Sequence, residues 1–325
     1  TIFIAGGSGM VGSAIRRTFS KMLNKRKINI KILSPTRGEL NLLDVESVRK
    51  WFKRNKPNIV ILAAAKVGGI LANSTYPADF LLENLKIQTN VIETSYSLKV
   101  NRFVFLGSSC IYPKFAEQPI REESLLQNHL EKTNENYAIA KIAGLKLCES
   151  LRLQYGFDAI SLMPTNLYGP NDNYHPQNSH VVAALIRKFI VAKHHNWSSV
   201  TCWGSGNVLR EFMHVDDLAE AILFCLEKWH PSQENAPKDS SGEPLNHINI
   251  GTGTSISIKD LASKISALAG YKGNIYWDTS KPEGTPEKTL DIKRINDLGW
   301  KAKINLDSGL QKTIDNLDIS KIISN

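Results

Sequence analysis

Along the first half of the chain, short unbroken apolar runs alternate with longer stretches in which apolar residues recur every three or four positions. The runs TIFIA (1–5), INIKIL (28–33), NIVILAAA (58–65), RFVFLGSS (102–109) and DAISLMPT (158–165) are strand length and rich in branched side chains. Unbroken rather than alternating apolar strands are buried on both faces, which is the habit of a parallel sheet with helices above and below. The pattern therefore predicts an α/β fold with a doubly wound parallel sheet, whose ligands lie at the carboxyl ends of its strands. After Pro170 the rhythm loosens. A polar stretch, NDNYHPQNSH, leads into an apolar helix, a strand-like SVTCW and further short strands and helices. We expect one domain over 1–170 and a smaller α/β domain over 171–325 that covers the substrate, with segments around 205–228 returning to the first. HPSQENAPKDSSGEP (230–244) reads as a surface loop.

Composition narrows the function classes. At 325 residues and 42% apolar content the chain can bury a substantial core. No run approaches the roughly 18 apolar residues of a membrane span, and the chain opens directly on a strand. Neither secretion nor membrane insertion is expected. Four widely spaced cysteines, Cys110, Cys148, Cys202 and Cys225, contain no C-x-x-C pair, so no disulfide framework or metal site is expected and a reducing cytoplasm fits. The formal charge of +9 is densest at Lys21–Lys31, in what reads as a helix end turning into a strand. No nucleic-acid-binding signature accompanies it, so an anionic small ligand is expected instead.

Strand ends carry the chemistry. Gly6-Gly7-Ser8-Gly9-Met10-Val11-Gly12 joins the first strand to the first helix, where glycines let the backbone approach a pyrophosphate met by the helix N-terminus. This is the Rossmann arrangement, and it predicts a dinucleotide. At the end of the second strand ILSPTRGEL offers Arg37 and no acid before Glu39. An arginine there pairs a 2′-phosphate and favours NADP(H); the alternative is a solvent-facing side chain. Asp44 either faces adenine or caps the helix that starts near Val45. Tyr137 and Lys141, four apart in NYAIAK, share one helical face. There the ammonium is expected to lower the phenol pKa and make Tyr137 a general acid for a carbonyl under reduction. FLGSSCIYP puts Ser108 and Ser109 at the sheet edge with Cys110, which is either inert packing or a thiolate base. His180, in QNSHV, is either its proton-donating counterpart or a helix-start hydrogen bonder.

Taken together, GMVGSAIRR, LAAAKVGGI, NSTYPADF, FLGSSCIYPK, NYAIAKIAG, MPTNLYGPND, HPQNSHV, WGSG, REFMHVDD and SKPEGTP give the chain a resemblance along nearly its whole length. It resembles the GDP-L-fucose synthase family of extended short-chain dehydrogenases/reductases. The resemblance implies conversion of GDP-4-keto-6-deoxy-D-mannose to GDP-L-fucose, with Ser108, Tyr137 and Lys141 serving reduction and Cys110 and His180 serving 3,5-epimerisation. It implies NADP(H) contacts at Gly6 to Gly12, Arg37, Leu106, Gly107, Ser108, Ser109, Lys141, Pro164, Thr165, Asn166, Leu167 and His180. GDP-sugar contacts are implied at Lys188, Trp203, Arg210 and Asp278, and a homodimer through helices around 80–98 and 137–155. Two departures matter. Ser8 stands where family members carry a basic residue, which leaves a 2′-phosphate to Arg37, and Lys188 stands where arginine is usual. Two rivals share the fold: a nucleotide-sugar 4-epimerase or 4,6-dehydratase, which recycles its cofactor, and a non-catalytic NADPH-binding regulator. A dehydratase would need an Asp-Glu pair where Ser109 and Cys110 stand.

Overall fold

The chain runs as β1 (Ile2–Ala5), α1 (Met10–Arg26), β2 (Ile32–Leu33), α2 (Val45–Asn55), β3 (Ile59–Leu62), α3 (Ile70–Thr75) and α4 (Pro77–Ser97). It continues through β4 (Arg102–Leu106), α5 (Glu135–Tyr155), β5 (Ala159–Pro164), β6 (Asn166–Tyr168), α6 (Val181–His194), β7 (Ser199–Trp203) and β8 (Leu209–His214). Then come α7 (Val215–Lys228), β9 (His247–Ile250), β10 (Ser255–Ser257), α8 (Ile258–Ala269) and β11 (Asn274–Asp278). β12 (Glu287–Lys288), α9 (Lys293–Asp297), α10 (Leu306–Asp315) and α11 (Ile319–Ile323) follow. These assignments come from a computed structural model that describes residues 1–27, 29–281 and 284–323. Pro282 and Glu283 of the SKPEGTP string and Ile28 of INIKIL lie outside the described residues.

The apolar runs become a parallel six-stranded sheet in the order β2-β1-β3-β4-β5-β9. Parity along each strand decides which layer a side chain joins. Ile2 and Ile4 of β1, with Val104 and Leu106 of β4, pack under α1 and α7. Phe3 and Ala5, with Phe103 and Phe105, pack under α2, α4 and α5. Both faces are thus filled, as unbroken apolar strands require. β2 is shorter than its apolar run: among the described residues of that run only Ile32 and Leu33 pair, both with β1. β9 extends the opposite edge on β5, a position the sequence pattern does not assign to 247–250.

Strand order reverses between β1 and β3, and the loops that leave these strands part there to form a crevice. A second group of strands stands over it. β8 pairs with β6, β10 and β12, and β7 pairs with β11. α6 and α8 pack together against these strands through Phe189, Leu261 and Ile265. α7 leaves β8 and returns to pack on α1. No helix among the described residues is long and apolar enough to cross a membrane.

Candidate active site

One cleft of about 1330 Å³ runs along the carboxyl ends of the strands and between the two groups. That exceeds the roughly 300–1,000 Å³ of a single small-ligand site, so it has room for two ligands. Its floor at one end is the turn after β1. Gly6 has φ +83°, and a Cβ on it would lie 2.8 Å from the backbone of Ala64 at the end of β3. A Cβ on Gly12 would lie 2.2 Å from the Gly6 carbonyl oxygen. Only glycine lets the turn close this tightly onto the neighbouring strand. α1 then starts at Gly9 with no side-chain cap and no acid in its first turn, so its first N–H groups remain available to an anion. Ser8, Gly9, Met10, Val11 and Gly12 line the cleft with Gly6, whereas Gly7 does not: its Cβ direction points into Ser34.

At the end of β2, Arg37 is exposed and lines the cleft. The carboxylate of Glu39 turns back instead, accepting from the Thr36 N–H at 2.7 Å and the Thr36 hydroxyl at 3.0 Å, which lowers its pKa. Asp44 is committed to α2 as well, accepting from Glu46 N–H at 3.0 Å and Ser47 Oγ at 2.6 Å. Of its two readings, the helix cap holds. Both nearby acids are thus engaged by their own turns, and glycine turn, uncapped helix and arginine together fit a dinucleotide bearing a 2′-phosphate.

The middle of the cleft is set by α5 against β4. Lys141 is 4% exposed, donates from Nζ to the Leu106 carbonyl at 2.8 Å and sits 5.0 Å over the Phe105 ring. Burial lowers its pKa to about 8. Tyr137 lies one turn earlier, its ring 5.8 Å from that Nζ. Burial chiefly, then the neighbouring Cys110, raises the phenol pKa, and a hydrogen bond with Ser108 opposes this without prevailing. The expectation that Lys141 lowers the phenol pKa is corrected here: the ammonium is spent on Leu106, and desolvation dominates. Tyr137 is therefore a protonated donor at neutral pH. Ser108 also accepts from the Cys110 N–H at 3.2 Å, and Ser109 is buried beneath. Leu106, Gly107 and the β5 end, Pro164, Thr165, Asn166 and Leu167, complete this wall.

Cys110 Sγ accepts from Asn134 Nδ2 at 3.3 Å and from Lys288 Nζ at 3.7 Å. Lys288 is only 9% exposed, and among the described residues it makes no ion pair with a carboxylate. A cation and an amide donor are what a sulfur anion needs. Neither Asn134 nor Lys288 is singled out by the sequence; β12 brings Lys288 across 178 residues by pairing with Arg210 of β8. His180 holds the N-cap position of α6 but its side chain makes no cap bond, which removes the helix-start reading and leaves the imidazole facing the cleft. Solvent reaches it, yet the protein walls around it lower its pKa. Toward the far end lie Lys188, which donates to Thr201 O, half-exposed Trp203 beneath Lys281 Nζ at 5.7 Å, and Arg210, which donates to Leu209 O at 2.8 Å. Trp197 and Trp277 line the same region. Asp278 does not line the cleft, and its carboxylate accepts from Ser280 N–H at 3.1 Å and Oγ at 2.6 Å. Among the described residues there is no His, Cys, Asp and Glu cluster able to hold a metal ion.

Residues 2–251 match the model of the NAD dependent epimerase/dehydratase family. The chain is 51% identical over 312 residues to GDP-L-fucose synthase of Escherichia coli (strain K12), covering 96% of this chain and 94% of that protein. Among solved structures, a GDP-6-OMe-4-keto-L-xylo-heptose reductase from C. jejuni superposes with TM-score 0.88 and 37% identity, covering 97% and 96% of the two chains. GDP-mannoheptose C4 reductase from Campylobacter jejuni with NADP bound gives TM-score 0.82 and 37% identity over 97% and 96%.

Proposed function

The chain belongs to the NAD dependent epimerase/dehydratase family, and on that basis we propose that it converts GDP-4-keto-6-deoxy-D-mannose to GDP-L-fucose with NADPH. The observation that carries the reading is the pairing of two acid–base devices in one cleft: Cys110 between two donors, and a protonated Tyr137 beside it. A simple reductase needs only the second. The 4-keto group acidifies the hydrogens on C3 and C5, and the Cys110 thiolate removes one of them, leaving an enolate and a neutral thiol. His180 as imidazolium protonates the opposite face, and exchange with solvent resets both groups before the second centre inverts. Its lowered pKa makes imidazolium scarce at pH 7 but a stronger acid, so delivery should fall as pH rises. NADPH bound at the glycine turn would supply the hydride that reduces C4. Tyr137 gives its proton to the oxygen of C4 as charge develops there, and the hydrogen bond with Ser108 steadies the resulting phenolate. Gly6, Ser8 to Gly12, Arg37, Leu106 to Ser109, Lys141 and Pro164 to Leu167 would hold the cofactor, and Lys188, Trp203 and Arg210 the GDP-sugar.

Three coarser features go with this. Residues 1–170 serve mainly the cofactor and 171–325 mainly the substrate, with α7 and β9 serving the first unit. A homodimer through α4 and α5 would cover Leu82, Ile139 and Leu153, which are exposed on those helices. Four unpaired thiols suit a reducing cytoplasm.

The test is Cys110→Ser, which nearly keeps volume but replaces the thiol with a hydroxyl far harder to ionise. Solvent deuterium incorporation into the keto-sugar should fall steeply while reduction survives, giving a D-series product such as GDP-D-rhamnose. Parent-like exchange with GDP-L-fucose still formed would remove Cys110 from the reaction.

A further inference from the structure

We propose that Gly69 is a positioning residue that seats the loop carrying His180, an inference that rests on the function proposed above. Gly69 precedes α3 with φ −69° and ψ −177°, a conformation open to any residue, so backbone freedom does not explain a glycine there. Space does. A Cβ built on Gly69 would lie 2.6 Å from the carbonyl oxygen of Ser179, the residue before His180. The Gly69 N–H also donates to the Asn178 carbonyl at 3.3 Å. The two loops therefore meet backbone to backbone, one leaving β3 and the other entering α6, and both line the cleft.

The near side of this contact is fixed. Asn73, 8% exposed, donates from Nδ2 to the carbonyls of Gly68 at 2.8 Å and Gly69 at 3.0 Å, and its own N–H bonds to Gly69 O at 3.1 Å. Gly68 is hemmed in as well, its Cβ direction meeting Ala72 at 2.9 Å and Phe80 at 3.1 Å. The turn cannot retreat, so a side chain on Gly69 must push the far loop. Ordinary contact begins at 3.4 Å, so a single methyl displaces Ser179 by about 0.8 Å. His180 is bonded directly to Ser179 and has no side-chain cap to hold it in place. A misplacement near 1 Å costs about a hundredfold when it moves a reacting group.

The experiment is a double-mutant cycle on the full chain, joining Gly69→Ala with His180→Gln. Deuterium exchange into GDP-4-keto-6-deoxy-D-mannose without NADPH should fall about ten- to a hundredfold in Gly69→Ala, with NADPH affinity at the parent value. In the His180→Gln background Gly69→Ala should add nothing, because the group it displaces is already gone. Parent-like exchange in Gly69→Ala, or an additive loss in the double variant, overturns the proposal. Asn73→Ala, which loosens the near side without adding bulk, should show the same dependence on His180 at smaller size, and serves if Gly69→Ala does not fold. A readout independent of turnover is the His180 imidazole resonance in histidine-labelled protein. It should move in Gly69→Ala; an unmoved resonance rejects the seating role whatever the substrate proves to be. A parent that exchanges nothing rejects the proposed function and leaves this resonance to decide the seating role.

Discussion

Replacing Lys141 with Met should stabilise the protein at pH 7 while abolishing reduction. Met is unbranched and fills nearly the same space, so the change isolates the charge. Burial takes the ammonium from an ordinary pKa of 10.5 to about 8, which at about 1.4 kcal/mol per pH unit is a cost of about 3 kcal/mol for keeping it charged in the fold. Loss of the hydrogen bond from this charged donor to Leu106 O removes about 1.5 kcal/mol of stability, leaving a net gain of about 1.5 kcal/mol at pH 7. The sign with pH follows from the lowered pKa. Between about 8 and 10.5 the unfolded chain binds more protons than the folded one, so the parent gains stability as pH rises through that window and the cost fades. By pH 10 about 1 kcal/mol of it remains, and the variant's advantage should vanish. Urea unfolding of parent and variant without cofactor, at pH 7 and pH 10, measures both differences. A variant less stable than the parent at pH 7, or an equal gain at both pH values, would refute the desolvated-lysine reading.

Arg37→Ala should lower kcat/KM with NADPH about ten- to a hundredfold and leave NADH nearly unchanged, since Ser8 supplies no second cation; steady-state kinetics with both cofactors checks it. Lys288→Met should slow iodoacetamide alkylation of Cys110 at pH 7 and reduce deuterium exchange in parallel, read by mass spectrometry of the Cys110 peptide. Alkylation at the parent rate would mean that the ammonium does not act on the sulfur.

What the sequence makes legible is what short-range pattern encodes. Unbroken runs such as IFIA and RFVFL announce strands buried on both faces, the glycine turn announces the uncapped start of α1, and a four-residue spacing is enough to put Tyr137 and Lys141 on one face. Long-range placement is a different matter. Lys288 reaches Cys110 only because β12 finds its register on β8, and no local signal marks PEKTL as part of a thiol's surroundings. Gly69 sits in the string LAAAKVGGI, but its purpose depends on a loop more than a hundred residues on. The direction of the Tyr137 shift was equally invisible. Spacing gives proximity to Lys141, whereas the sign depends on burial and on where the lysine spends its proton. Asp44 shows the reverse case, where local rules sufficed: an acid before VESV caps the helix.

The most direct test of the proposed reaction is one incubation in D2O of purified protein with unlabelled NADPH and GDP-4-keto-6-deoxy-D-mannose. If Cys110 and His180 invert both centres before C4 is reduced, the product is GDP-L-fucose with solvent deuterium at C3 and C5, formed with one NADPH oxidised per sugar. A reduced sugar carrying no deuterium on those carbons, or epimerised sugar formed with NADPH unconsumed, would contradict it.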